Sequence, residues 1–431
     1  MEQFKQIQDL VSPKFTWEVF ETVLKKQSNS DKVKLINITL GSETSKGDSY
    51  LSTVTRFSVD YTGENNGDSK PFKLHVFGKS LLRNVARRNT YRNSDFFANE
   101  IVFYEEIWPK LDAFQKEFNA LKTIQLYDEI PNYLCGEFDG SNDYMLLEDL
   151  SYQGYQSASR SDALTFERAK LVLKVLSKYH ALGYAFKELH PESFQETASK
   201  LRETYFHDDF RGWYAKFQHN LSIITLDAVE KELPEVYGNR LKEIFARDYY
   251  GEAVALCAPS AKTNFKTIAH GDTWMPNLLI RFDEKKQPVH SVLIDFQLAR
   301  YATVAQDLLF FTYACIDEDL RANHREDLIK YYCQEFSAFF AQFVPENPNV
   351  LTYDAMAKEM KANGMFAFNM TMEAIIMSLL DDHEVPDLDE MQGEEAVPLE
   401  IALSIVTLLK TKEKRLKVAN IFKHMMDLNY V

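Results

Sequence analysis

Cysteine is scarce in this chain, and so are proline and glycine. The four cysteines, Cys135, Cys257, Cys315 and Cys333, form no Cys-x-x-Cys pair, which excludes a zinc ribbon or a thioredoxin-type redox pair. Thiols this sparse and scattered suit a reducing compartment. With 13 prolines and 15 glycines in 431 residues, collagen-like, repeat-linker and low-complexity readings fall away. No stretch approaches the ~18 uninterrupted apolar residues of a membrane helix. The opening residues, Met1–Lys5, are charged and lack the ~7–15-residue apolar core of a signal peptide. Positive charge is in deficit too: 49 Lys and Arg stand against 64 Asp and Glu, a formal net charge of −15. Basic patches are confined to Arg83–Arg92 and Lys410–Lys417, too little for a dedicated nucleic-acid binder. The expectation is a soluble, cytoplasmic monomer that engages neither membrane nor nucleic acid.

What the chain does have is apolar surface. Aromatics make up 13% of it, with 31 Phe and 22 Tyr, enough to build ~2–3 folding units at roughly 150 residues each. Residues 15–26 repeat apolar positions at helical spacing. From 33 to about 80 the period shortens to three β-branched or aromatic runs, VKLINITL, YLSTVTRFSVDY and PFKLHVFG, separated by a flexible loop at Gly41–Asp48 and a hairpin connection at Thr62–Asp68. Residues 94–118 read as a long helix with Ser94 as N-cap, interrupted by Pro109. Short strands are expected near 131–137 and 143–148. Beyond Leu150 the pattern is helical, over 165–186, 196–220, 225–247, most of 318–345 and 354–380, 398–410 and 412–429, with short strands only around 267–296. A strand-rich third followed by a helical remainder implies an α+β chain of two lobes. The boundaries are 1–147 for the first lobe, 148–152 for a hinge and 153–431 for the second.

The strongest chemical signal is His270-Gly271-Asp272-Thr-Trp-Met-Pro-Asn277, followed by Val292-Leu-Ile-Asp295-Phe296-Gln297. A fixed four-residue pattern of this kind arises by chance in roughly 0.3% of chains this long, so an ordinary loop is the poorer explanation. Moving a γ-phosphoryl group needs an oxygen nucleophile held in line, a carboxylate to take its proton, and a divalent metal across the phosphates. Asp272 suits the carboxylate. Asn277, five residues on, can return an amide oxygen to the same cleft, and Asp295 can ligate Mg²⁺ from the end of the next strand. The same order of roles recurs in protein kinases. The first third supplies matching parts. Lys79 ends the third strand, placed for the α/β-phosphates of ATP, with Glu100 on the following helix as its ion-pair partner. The loop Gly41–Ser49 can cover phosphates with backbone N–H groups. Glu148, Asp149 and Leu150 would link the lobes and offer backbone groups to adenine.

Together HGDTWMPN, LIDFQ, Lys79, FFANEIVFY, LLEDL and YHALGY resemble the arthropod ecdysteroid kinase-like family, part of the choline-kinase and aminoglycoside-phosphotransferase group. The resemblance implies a protein-kinase-like fold with a small antiparallel-sheet lobe and a large, mainly helical lobe. It implies ATP- and Mg²⁺-dependent phosphorylation of a hydroxyl on an ecdysteroid or another hydrophobic alcohol, hormone or xenobiotic. It makes Asp272 the base, Asn277 and Asp295 the metal ligands, and Lys79 with Glu100 the phosphate-binding pair. His270 and Asp307 become structural supports of the catalytic loop.

Departures are informative. No Gly-x-Gly-x-x-Gly exists, so the phosphate loop centres on Gly47 alone. Position 297 is Gln where protein kinases carry Gly, and Gly271 replaces the Arg that contacts an activation-loop phosphate, which favours a constitutive small-molecule kinase. Two rivals stand beside it: a choline-, ethanolamine- or aminoglycoside-type kinase acting on a cationic alcohol, and a catalytically silent ATP-binding module. His180, on a helix among apolar neighbours, reads as a packing histidine. The Met- and Phe-rich run 365–377 reads first as core, and as an adaptable apolar wall for an acceptor second.

Overall fold

The computed structural model describes residues 2–41, 52–158, 163–381 and 393–431; the centre of the expected phosphate loop, Gly47, lies outside them. The chain opens with helices α1 (Glu2–Val11) and α2 (Trp17–Ser28), then strands β1 (Lys32–Leu40), β2 (Thr53–Asn65) and β3 (Asp68–Ser80). Next come α3 (Val85–Thr90), α4 (Asn93–Val102), α5 (Trp108–Leu121), β4 (Tyr133–Glu137), β5 (Tyr144–Glu148) and the short β6 (Tyr155–Ser157). The five longer strands form one antiparallel sheet in the order β1-β2-β3-β5-β4. Asn66 and Gly67 close the β2–β3 hairpin, both at positive φ (52° and 89°). That is the type I′ turn an Asn-Gly pair favours, because its twist matches the flanking strands.

Period-two alternation decides which residues face the site. On β3, Leu74 and Val76 join Phe57, Val59 and Tyr61 of β2 in a core that packs under α1 and α2 through Phe4, Phe15 and Phe20. Lys79 therefore belongs to the opposite face, the one covered by α4. Strand β5 divides in the same way: Tyr144 and Leu146 face the first core, Met145 and Leu147 the second.

The helix expected over 94–118 is α4 and α5 joined by one π-helical turn, Phe103–Ile107. Pro109 follows that turn; it has no N–H to give the preceding turn, and the wider turn before it relieves the clash of its ring with the preceding carbonyls. Ser94 is not the cap: α4 starts at Asn93, after Arg92 in the left-handed region at φ 53°.

The remainder is helical: α6 (Phe166–Leu189), α7 (Pro191–Ala198), α8 (Arg211–Glu232), α9 (Glu235–Phe245) and α10 (Tyr249–Cys257), then α11 (Val304–Ala314), α12 (Glu318–Phe340), α13 (Tyr353–Ala362), α14 (Gly364–Ser378), α15 (Leu399–Ala402) and α16 (Lys412–Asp427). Between α10 and α11 lie β7 (Lys266–Ala269), β8 (Leu278–Phe282), β9 (Pro288–Leu293) and β10 (Arg300–Thr303). Strand β7 pairs with β10, and β8 pairs with β6 and β9. The α+β architecture, a five-stranded antiparallel sheet in the first third and a larger helical remainder, is the one expected.

Two expected helices are shorter than their patterns. The run 196–220 breaks at 199–210, where the Glu203 carboxylate accepts the backbone N–H groups of Tyr205 (2.8 Å) and Phe206 (2.7 Å) and so competes with helix for those donors. The run 398–410 is helical only over Leu399–Ala402. Met370 and Met372 are buried on α14, which places them in the core.

Candidate active site

Two loops and two elements of the sheet lobe converge. Lys79, one residue from the end of β3, sends Nζ to both oxygens of Glu100 on α4 (3.0 and 2.9 Å) and to Oδ1 of Asp295 (3.0 Å). Burial works to strip the Lys79 ammonium of its proton, but the charges of Asp295 and Glu100 outweigh it and hold the group above the ordinary lysine value. Burial raises the pKa of Glu100, against the pull of Lys79. Lys73, earlier on the same strand, pairs with Asp60 at the surface.

Asp295 occupies the left-handed region (φ 68°, ψ 68°), a conformation a non-glycine residue holds only where its surroundings enforce it. Phe296 supplies that enforcement. It is fully buried and stacks on Phe103 at 3.7 Å with rings 3° from parallel, a contact worth about 0.5–1.5 kcal/mol beyond area burial. Asn99, one residue before Glu100, completes the lock. Its buried amide donates to the carbonyls of Gln297 (3.0 Å) and Ala299 (2.9 Å) and its oxygen accepts from Arg202 N (3.1 Å). Helix α4 thus grips both the Asp295 loop and the irregular segment 199–210. The sequence reading missed Asn99. Its only signal was an Asn-Glu pair at one helix position, which helical periodicity does not single out.

The second loop follows β7. His270 is buried; Nδ1 accepts from Asp272 N (3.2 Å) and Nε2 therefore donates to the Ile294 carbonyl (3.0 Å). Burial lowers its pKa, in keeping with the neutral ring this pattern needs. Asp307, in the first turn of α11, accepts from His270 N (2.6 Å) and Gly271 N (2.9 Å), and from His180 Nε2 (2.9 Å). Burial opposes its charge, but these donors together hold it below the ordinary carboxylate value. His180 also accepts from the Tyr332 hydroxyl (2.6 Å), so it is a hydrogen-bonded packing histidine behind the loop. Gly271 has φ +83°, and a Cβ there would collide with the Leu298 carbonyl.

Asp272 is buried beside this turn. Asn277 Nδ2 donates to its Oδ2 (2.9 Å) and to its carbonyl (3.0 Å). Burial first, then the charge of Asp295, push Asp272 up to about 7, while hydrogen bonds from Gln297 and Asn277 work the other way. Gln297, read in the sequence as a departure, thus favours the charged form of the central carboxylate.

At the lobe junction Asp149 turns inward. Arg56 donates to both its oxygens (3.0 and 3.2 Å), and Ser151 N donates to Oδ1 (3.0 Å). The Glu148 carboxylate accepts from Asn132 (2.6 Å) and Gln153 (2.5 Å), and Leu150 is buried. Both carboxylates are occupied in shaping the junction, and the backbone N–H groups of Glu148 and Asp149 donate to the Asn132 (2.9 Å) and His75 (3.0 Å) carbonyls.

The donors available to a divalent cation are hard oxygens: the Asn277 amide oxygen, whose nitrogen is committed to Asp272, and Asp295, which gives Oδ1 to Lys79 and whose side chain is 22% exposed. Among the described residues no group of three or more His, Cys, Asp or Glu side chains could hold a metal by itself. A pair of oxygen donors fits Mg²⁺ completed by phosphates and water, and not a site built by protein alone.

The sequence profile of the ecdysteroid kinase-like family matches residues 46–343, a span that holds every site residue named above. No curated protein matches the chain in sequence. Among solved structures, the GDP complex of wild-type aminoglycoside 2'-phosphotransferase-IIIa is 12% identical, with 92% of this chain and 97% of that one covered and a TM-score of 0.40. The GDP complex of a point mutant of that enzyme gives 12% identity, 93% and 98% coverage and the same TM-score. No helix among the described residues is long and apolar enough to cross a membrane.

Proposed function

The chain belongs to the ecdysteroid kinase-like family and is a small-molecule kinase, and from that premise we propose that it transfers the γ-phosphoryl group of ATP to a hydroxyl of an ecdysteroid or similar hydrophobic alcohol. The single observation that carries this reading is the convergence of Lys79, Glu100 and Asp295 in one ion-paired cluster, with Asp295 acting on the electrostatics of the Asp272–Asn277 pair. Residues 1–147 form the nucleotide lobe in this proposal, 148–152 the hinge whose backbone meets adenine, and 153–431 the acceptor lobe.

Lys79 holds the α/β-phosphates, and Glu100 orients Lys79. Asp272 takes the proton of the acceptor hydroxyl as the new O–P bond forms and the bond from the γ-phosphorus to the ADP oxygen breaks. Asn277 donates to one Asp272 oxygen and so holds the carboxylate in place for the incoming hydroxyl. Asn277 and Asp295 would hold Mg²⁺, which supplies charge neutralisation along the phosphates.

Because the base must be ionised, its raised pKa sets a pH profile. kcat/KM reports the free enzyme and will rise tenfold per pH unit below about 7, the value to which Asp272 is pushed, then level off. Gln297→Leu removes a donor that favours the charged form, so the midpoint moves to higher pH. A midpoint that stays or falls would remove Gln297 from this role.

The substrate is tested by Mg²⁺-dependent transfer from labelled ATP to a panel of ecdysone, 20-hydroxyecdysone, a plant steroid, choline and an aminoglycoside. A labelled steroid is expected. Label on choline or the aminoglycoside would retain the chemistry and replace the acceptor, and transfer to none with nucleotide still bound would favour the silent binding module.

A further inference from the structure

A second site lies behind the catalytic loop. Residues Tyr184, Lys187, Thr263, Phe265, Lys266 and Tyr301 line a cavity of about 370 Å³. Lys266 begins β7, and the loop residue His270 is four residues further on, about 13 Å at the rise of an extended strand. The cavity therefore opens at the far end of that strand.

Two lysines line it. Lys187 Nζ donates to the Lys266 carbonyl (2.6 Å) and Lys266 Nζ to the Pro259 carbonyl (2.9 Å). Each uses one of its three N–H groups on a neutral oxygen, and neither forms an ion pair with a carboxylate among the described residues. Glu188, the residue after Lys187, reaches it only through space, and the Glu359 carboxylate is engaged by Asn264, which also lines the cavity. Burial lowers both lysines, and the two repel one another at Lys187. Aromatic faces flank them, Tyr184 at 4.5 Å from Lys187 and Tyr301 at 4.5 Å from Lys266.

One more observation falls on the same wall. Phe265 has φ +50°, strained for a bulky residue, and strain of this kind gathers at ligand clamps. A lysine in the last turn of a helix is ordinarily explained by the helix dipole. That account covers Lys187 alone and leaves Lys266 and Phe265 unexplained.

We propose that this cavity binds a phosphate group, as inorganic phosphate or as a phosphate monoester, held by the Lys187 and Lys266 ammonium groups. A dianion offers charge to both cations at once and oxygen acceptors to their remaining N–H groups. The assignment stands apart from the reading of the catalytic cleft, because none of its residues belongs to that cleft.

Calorimetric titration of the full chain with inorganic phosphate, and separately with glycerol phosphate, at fixed ionic strength tests it. One saturable site is expected. Lys187→Met should weaken binding about tenfold or more, the scale of one charge-assisted hydrogen bond, and Lys187→Arg should restore most of it. Tighter glycerol phosphate would identify an organic phosphate as the occupant, and equal affinity the inorganic ion. Lys266→Gln, whose loss of the Pro259 contact could affect folding, is read only alongside Lys187→Met, which sits on a partly exposed helix position. Unaltered affinity in a folded Lys187→Met protein, no saturable binding, or equal competition by chloride would overturn the proposal.

Discussion

Asp272→Asn will lower kcat by ~10²–10⁴-fold, the usual contribution of a positioned general base, and will leave nucleotide affinity within a few-fold of the parent. The replacement is nearly isosteric. Its amide can still meet Asn277, and nothing in it touches Lys79 or Glu100, so the cluster proposed to hold nucleotide is preserved. What disappears is the group proposed to accept the hydroxyl proton. Asn has no protonation step near neutrality, so the rising limb of kcat/KM below about 7, where burial and Asp295 place Asp272, should vanish with it. Single-turnover transfer from labelled ATP across pH, with nucleotide binding measured in parallel, reads both effects. A variant that retains kcat within tenfold, or keeps the same pH midpoint, would remove Asp272 from the role of base.

Gly271→Ala will be the most damaging single-methyl change in the site. At φ +83° an L-residue pays the left-handed penalty, and the added Cβ meets the Leu298 carbonyl, a rigid backbone atom that cannot swing aside. Left-handed strain costs about 1–3 kcal/mol and overpacking another 1–3 kcal/mol, so roughly 2–6 kcal/mol is at stake. Two relaxations are open to the chain. Either the loop moves off Asp307, which breaks the hydrogen bonds to His270 N and Gly271 N, or the segment after Phe296 shifts and Asp295 with it. Both displace groups the proposed chemistry needs, so kcat should fall together with the unfolding midpoint. A thermal melt and a transfer assay on the same preparation separate these. A variant with parental melting and parental turnover would show that the Leu298 carbonyl gives way freely.

The glycine also explains why this position departs from the protein-kinase pattern. An arginine at 271 would face the same carbonyl at the same φ, so the close approach of the two loops here demands a residue with no side chain.

The sequence by itself determined a good deal. Alternation on β3 assigned Lys79 to the face opposite Leu74 and Val76, because a strand sends successive side chains to opposite sides. The motif His270–Asn277 and the strand-end Asp295 were legible because their spacing is local: a turn followed by a short strand returns Asn277 to the carbonyl and carboxylate of Asp272, five residues back. The strand-rich third and the helical remainder were visible as two periods.

Tertiary structure decided the rest. The Asn99 contacts with Gln297 and Ala299 span about two hundred residues, the Arg56 pairing with Asp149 spans 93, and the meeting of Lys187 with Lys266 spans 79. Periodicity reports which face of an element is apolar, but it carries no record of which distant element covers that face. The break at 199–210 has the same origin: the residues would continue a helix on pattern alone, and Glu203 ends it by taking the local N–H groups while its Oε2 pairs with Arg300 (3.2 Å), nearly a hundred positions away. Local patterns set the elements and their faces. The long-range pairs that aim the charged groups exist only once the chain has closed on itself.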